Sequence, residues 1–219
     1  MSGGHVVLLD LDGTLIDSAP GIVEGMRVAF AAVDAPVPDE ALMRSWIGPP
    51  VRETLVRELA AHGDAAVERA NAAFREYFDS VGAHESVVFE GVPGALAQIA
   101  QAGAVMSVVT HKPEGLARLA LDQHGLAGHI VTLHAPPSPG VGVPKADLFR
   151  EALGATRPTS VISGGARGSD IRAAAACGIA GVGVAWGYGS THELQEAGAL
   201  RVVGSPFDLP GEVGSPRTA

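Results

Sequence analysis

The stretch that most constrains this chain is residues 5–18, His-Val-Val-Leu-Leu-Asp-Leu-Asp-Gly-Thr-Leu-Ile-Asp-Ser. Val6 to Leu9 is an unbroken apolar run, which reads as a strand buried on both faces, as in a parallel sheet. It ends in two carboxylates spaced two apart. Residues i and i+2 of a strand share a face, so Asp10 and Asp12 point toward one site at the carboxyl end of the strand, where open α/β sheets bind ligands. Gly13 permits the sharp turn that follows. Two carboxylates this close repel unless a cation or a shared proton offsets them. A divalent cation with oxygen ligands, Mg²⁺ first, is the natural partner. Asp10 is then a candidate nucleophile, and Asp12 the group that protonates a leaving group and later deprotonates water. The bland alternative is a polar strand end running into a loop; five specified positions after an apolar strand weigh against it.

The 219 residues are enough for one large domain, or one domain with an insert, and 47% of them are hydrophobic. The net charge is −9 and no basic run exists, so neither nucleic acid nor an anionic membrane is an expected partner. The single cysteine, Cys177, excludes an internal disulfide and suits a reducing cytoplasm; it sits in an Ala-rich helical pattern as a small buried apolar residue. Neither a signal peptide nor a bilayer-spanning apolar stretch is expected.

Residues 20–80 carry helical periodicity and little strand signal. Ile22, Val23, Met26 and Phe30 fall at helical spacing, and further helices are expected over Glu40–Trp46, Val51–Ala61 and from Asp64 to about Val81. This predicts a helical insert over 18–87. From Val92 onward helix and strand alternate: helices over Pro93–Ala102, Pro113–His124, Ala146–Leu153, Asp170–Cys177 and Thr191–Gly198, and strands over Ala104–Val109, Ile130–Leu133, Ser160–Ser163, Gly181–Ala185 and Leu200–Val203. Such alternation predicts a doubly wound parallel sheet, a Rossmann-like α/β core formed by 1–17 and 88–209. A Pro/Gly loop at 135–142 and a polar tail at 210–219 read as loose.

Asp10-Leu11-Asp12-Gly13-Thr14-Leu15-Ile16-Asp17-Ser18 resembles the first motif of the haloacid dehalogenase-like (HAD) superfamily, in particular its phosphoglycolate phosphatase-like branch. The resemblance implies that Asp10 attacks the substrate and Asp12 is the acid/base. An Asp at the second position marks the phosphatases rather than the dehalogenases. It also implies that the helical insert is a cap closing over the active site. Thr110-His111-Lys112 follows a buried strand, where a hydroxyl and free amides hold phosphate oxygens. Thr110 matches the family's second motif, while His111 stands in place of the usual Asn and still donates hydrogen bonds. Lys112 reads as a surface residue rather than a ligand. Lys145, at a helix start after the Pro/Gly loop, resembles the third motif and is placed to neutralise both a phosphoryl oxygen and Asp10.

The fourth motif departs from the family. In Ser163-Gly164-Gly165-Ala166-Arg167-Gly168-Ser169-Asp170, Asp170 matches the second acid, but Ala166 stands where the first Asp belongs. Shifting the alignment by one residue puts Gly165 there instead. The ligands implied for Mg²⁺ reduce to Asp10, the Asp12 carbonyl and Asp170. Arg167 and Arg52 are candidate contacts for a substrate anion, with a solvent-facing loop Arg and a helix-start Arg as the alternatives. Trp186 and Tyr188 read as packing residues. The expected function is Mg²⁺-dependent hydrolysis of a small phosphate monoester through an aspartyl-phosphate, by a cytoplasmic monomer or homodimer. The alternative is a catalytically weakened protein of the same fold that binds a phosphorylated ligand or regulates, and a phosphoryl mutase is a third reading.

Overall fold

The computed structural model of the protein describes residues 4–154 and 160–213. In chain order it runs β1 (His5–Leu9), β2 (Ile16–Asp17), α1 (Ala19–Ala31), α2 (Glu40–Ser45), α3 (Val51–Glu58), α4 (Asp64–Ser80), β3 (Val87–Val88), α5 (Val92–Gln101), β4 (Val105–Val109), α6 (Glu114–Gln123) and β5 (Thr132–His134). It continues through α7 (Lys145–Leu153), β6 (Ser160–Gly165), α8 (Gly168–Ala176), β7 (Ala180–Val184), α9 (Thr191–Glu196), β8 (Arg201–Val203) and α10 (Leu209–Val213).

Six strands form one parallel sheet in the order β5-β4-β1-β6-β7-β8. This is the α/β, Rossmann-like core expected from the alternation. The apolar run of β1 is buried on both faces. Val7 and Leu9 join the cluster that includes Val92, Leu96 and Ile99, and Leu8 joins the opposite one with Leu148, Phe149 and Ala174. The chain winds to β4 and β5 on one side of β1, then crosses to β6, β7 and β8 on the other. The reversal of winding therefore falls at the carboxyl end of β1, and crevices open at such switch points.

Four helices, α1 to α4, lie between β2 and β3, as the periodicity predicts. They carry a core of their own in which Met26, Met43, Leu55 and Ala70 are completely or almost completely buried. The two chain passages into and out of this insert are tied together by β2 and β3, which pair antiparallel. Two residues per strand are too short to leave a periodic signal, so this pairing was not foreseen from the sequence. Tyr188 locks the same hinge: its hydroxyl donates to Asp17 Oδ1 (2.7 Å) and accepts from the amides of Ser18 (2.7 Å) and Ala19 (3.0 Å).

Helix ends differ from expectation by one to three residues, as frayed ends do. Val51–Glu58 is α-helical and Ala60–His62 tightens into a 3₁₀ turn. The tail expected to be loose from residue 210 begins instead as α10, with Val213 fully buried and its carbonyl taking a hydrogen bond from His5 Nε2. Residues 214–219 of that tail lie outside the described residues. Cys177 is half-buried, and its thiol donates to the Ala146 carbonyl (3.4 Å). Among the described residues no helix is long and apolar enough to cross a membrane.

The insert core depends on a close approach at Gly21. A Cβ there would lie 2.0 Å from the Gly82 carbonyl oxygen. Backbone cannot yield as a side chain does, so Gly21→Ala should cost about 1–3 kcal/mol through overpacking. Urea unfolding of the two proteins checks this, as a lower midpoint for the variant.

Candidate active site

Asp10, Asp12, Thr110, His111 and Asp170 follow the carboxyl ends of β1, β4 and β6, and Lys145 at the start of α7 joins them. β1 stops at Leu9, but the ladder runs one residue further, because the Asp10 amide donates to Gly164 O (3.0 Å). Asp12 lies in the tight turn that follows, with Gly13 at φ 81° and its amide on Ile16 O (2.8 Å).

Lys145 is the first residue of α7, and its side chain is buried. Its Nζ lies 2.7 Å from Asp10 Oδ1 and 2.5 Å from Asp170 Oδ1. Asp170 is N3 of α8. Its other oxygen accepts from the Arg167 amide (3.0 Å), so one carboxylate both caps a helix and holds Lys145. Burial pushes the Asp10 carboxyl up to about 7, with Lys145 opposing that rise and Asp170 adding to it. Burial works against the Lys145 charge, but Asp10 and Asp170 outweigh it and raise the ammonium's pKa.

Thr110 ends β4 fully buried, and its hydroxyl accepts from the Lys112 amide (3.1 Å). His111 bonds the backbone of Gly48 in the insert and of Val143 just past the Pro/Gly loop. Its pKa is lowered, first by burial and then by Lys145, which favours the neutral ring. Lys112 departs from the surface position expected of it. It is 8% exposed, its Nζ lies 3.1 Å from Asp12 Oδ1, and it stands 5.2 Å over the Phe78 ring of α4. Periodicity carries no signal for this contact, which joins residues 100 apart; only its place just past a buried strand hinted at it.

The two arginines do not converge on this group. The Arg167 guanidinium is spent on Glu193 (3.0 Å) and on the Ser45 and Ile47 carbonyls (2.8 and 2.5 Å), so it ties the core to the insert. Arg52 pairs with Glu68 within the insert (2.5 Å) and lines the cavity between insert and core.

The first acid of the fourth motif is absent in three dimensions as well. A Cβ on Gly165 would sit 2.4 Å from that of Asp170, so this position takes only glycine. Ala166 is fully buried, with its methyl against Gly13 and Gly187. Two of the expected carboxylates, Asp10 and Asp170, are already on Lys145, and Asp12 is on Lys112. Among the described residues no three His, Cys, Asp or Glu side chains gather to hold a metal ion. Asp10, the Asp12 carbonyl and Asp170 remain the residues that would hold Mg²⁺, one carboxylate fewer than the family motif supplies.

The chain matches the family described as haloacid dehalogenase-like hydrolase over residues 7–184. It belongs to that family. The tyrosine-protein kinase PtkA of Mycobacterium tuberculosis is 37% identical over 187 residues, spanning 84% of this chain but only 63% of that protein. A phosphoglycolate phosphatase of Xanthomonas campestris is 33% identical over 191 residues, 84% of each chain. A solved structure of M. tuberculosis PtkA superimposes with a TM-score of 0.82 at 32% identity, over 98% of this chain and 100% of that one. HAD phosphatases generally use Mg²⁺, which makes the shortfall of donors here informative. Calorimetric titration should show Mg²⁺ binding only at millimolar concentration, and Ala166→Asp should tighten it. Equal affinities would mean that position 166 does not face the cation.

Proposed function

We propose that this HAD-family chain hydrolyses a phosphate monoester through an aspartyl-phosphate on Asp10, with the helical insert of 18–87 as a cap over the core. One observation carries the reading. A buried carboxylate stands at the sheet's switch point with an ammonium 2.7 Å away, two residues before a second carboxylate that lines an open cavity.

In this scheme an Asp10 oxygen attacks phosphorus, and the ester P–O bond breaks. Asp12 gives its proton to the departing alkoxide, then takes one from the water that attacks the aspartyl-phosphate. Phosphate leaves and Asp10 is restored. Lys145, with the Thr110 hydroxyl and the neutral His111, meets the phosphoryl oxygens, while Asp170 keeps Lys145 in place. Lys145 and Lys112 supply positive charge beside Asp10 and Asp12, and Mg²⁺ would be held by Asp10, the Asp12 carbonyl and Asp170. The same reading puts the protein in the cytoplasm, acting on a small phosphorylated metabolite as a monomer or homodimer, without nucleic acid or membrane.

The buried Ala166 methyl favours a second reading, in which a weakened site binds a phosphorylated ligand or regulates. The kinase name borne by the PtkA relatives bears on it only in part, since this chain spans 63% of their length.

Turnover of phosphate esters by the purified protein separates the two readings. Asp10→Asn should remove it, by a factor of about 10³ or more if Asp10 is the nucleophile; activity surviving in that variant would exclude the role. The pH dependence follows from the raised Asp10 pKa. The attacking form is the carboxylate, present above about 7 and lost below it, so kcat/KM should fall toward acid with a midpoint near 7.

A further inference from the structure

We propose that the ester accepted here carries an uncharged, ring-bearing and mainly apolar alcohol, an aryl or arylalkyl phosphate in class, rather than a short hydroxy acid. The proposal rests on the phosphatase reading for the identity of the reacting group alone. Its basis is the cavity between insert and core. This space is about 260 Å³, and Asp12, His111 and Lys112 stand at its core side. A two-carbon alcohol would leave most of it unfilled.

The walls are those of a ring site. Phe74 and Phe78 line the insert side, stacked at 5.4 Å and 12°, with Ile22 and Val51 nearby and Leu116 of α6 opposite. One face of Phe78 lies under the Lys112 ammonium that holds Asp12, so the aromatic wall begins directly beside the acid/base candidate. Flat apolar groups gain from burial against such rings. A carboxylate carried by a short hydroxy acid would lose water there without a cation of its own. Lys112 is taken by Asp12, and Arg52 by Glu68. Arg75, Glu53 and Asp79 also line the space but are exposed, so the buried wall at Phe74 and Phe78 offers no further cation to a second anion.

Binding of two non-hydrolysable ligands tests this apart from catalysis. Titration calorimetry should give benzylphosphonate an affinity at least about tenfold above that of phosphonoacetate, in line with burying one ring. Leu116→Trp, which fills the cavity from its half-buried core side, should weaken benzylphosphonate several-fold more than phosphonoacetate. Phe78→Leu should also narrow the gap, with thermal unfolding run alongside to show that the variant is folded. Equal affinities, a preference for phosphonoacetate, or equal losses for both ligands in Leu116→Trp would overturn the proposal. Turnover of benzyl phosphate and phosphoglycolate is measured on the same samples. If neither is hydrolysed the phosphatase reading falls, while the titrations still decide the ring preference.

Discussion

The Lys145 ammonium, held between the carboxylates of Asp10 and Asp170, is the contact on which the site depends. Three elements end at it: β1 through Asp10, α7 through Lys145 itself, and α8 through Asp170. Buried charges are costly unless paired, and one ammonium between two carboxylates leaves an excess of negative charge, which is why burial and Asp170 drive Asp10 up while Lys145 draws it down. Asp170 is the stable partner because its second oxygen caps α8. The same arrangement that holds the strand tips together keeps a carboxylate poised near neutrality at the mouth of a crevice.

Around that centre, the core reaches across to the insert with polar side chains as well as with the apolar Leu116 and Leu119 of α6, which pack against the insert's cluster. Arg167 takes the carbonyls of Ser45 and Ile47 at the end of α2, His111 takes the Gly48 backbone, Lys112 stands over Phe78, and Tyr188 binds the hinge at Asp17–Ala19. Such contacts are directional and few, so they set the position of the insert without fusing the two cores. Arg167 and Lys112 thereby both depart from the roles expected of them. The expected anion contact is a tie between layers, and the expected surface lysine is the partner of Asp12.

The absent acid at position 166 shows how a family motif is altered without loss of the fold. Gly13 and Gly187 press on the Ala166 methyl, and Gly165 has no room beside Asp170. The backbone course of the motif is kept, with its cap on α8 and its grip on Lys145, while the cation-binding group is gone. The fold and the grip on Lys145 thus rest on other atoms of the segment than the missing carboxylate.

Much was legible in the chain itself. The apolar run before Asp10, the alternation after Val92 and the helical spacing over 20–80 specify a parallel sheet with a helical insert, because burial of one face or two imposes those periods directly on the residues. The clustering of Asp10, Asp12, Thr110, Lys145 and Asp170 follows from their common place at strand ends and helix starts of one sheet. What only the tertiary structure decided are the pairings between distant residues: Lys112 on Asp12, Arg167 on the insert's carbonyls, Tyr188 on the hinge, β2 with β3, and Val213 under His5. Periodicity records which face of an element is buried. It does not record which long side chain, brought from a hundred residues away, finds a counter-charge or a carbonyl there.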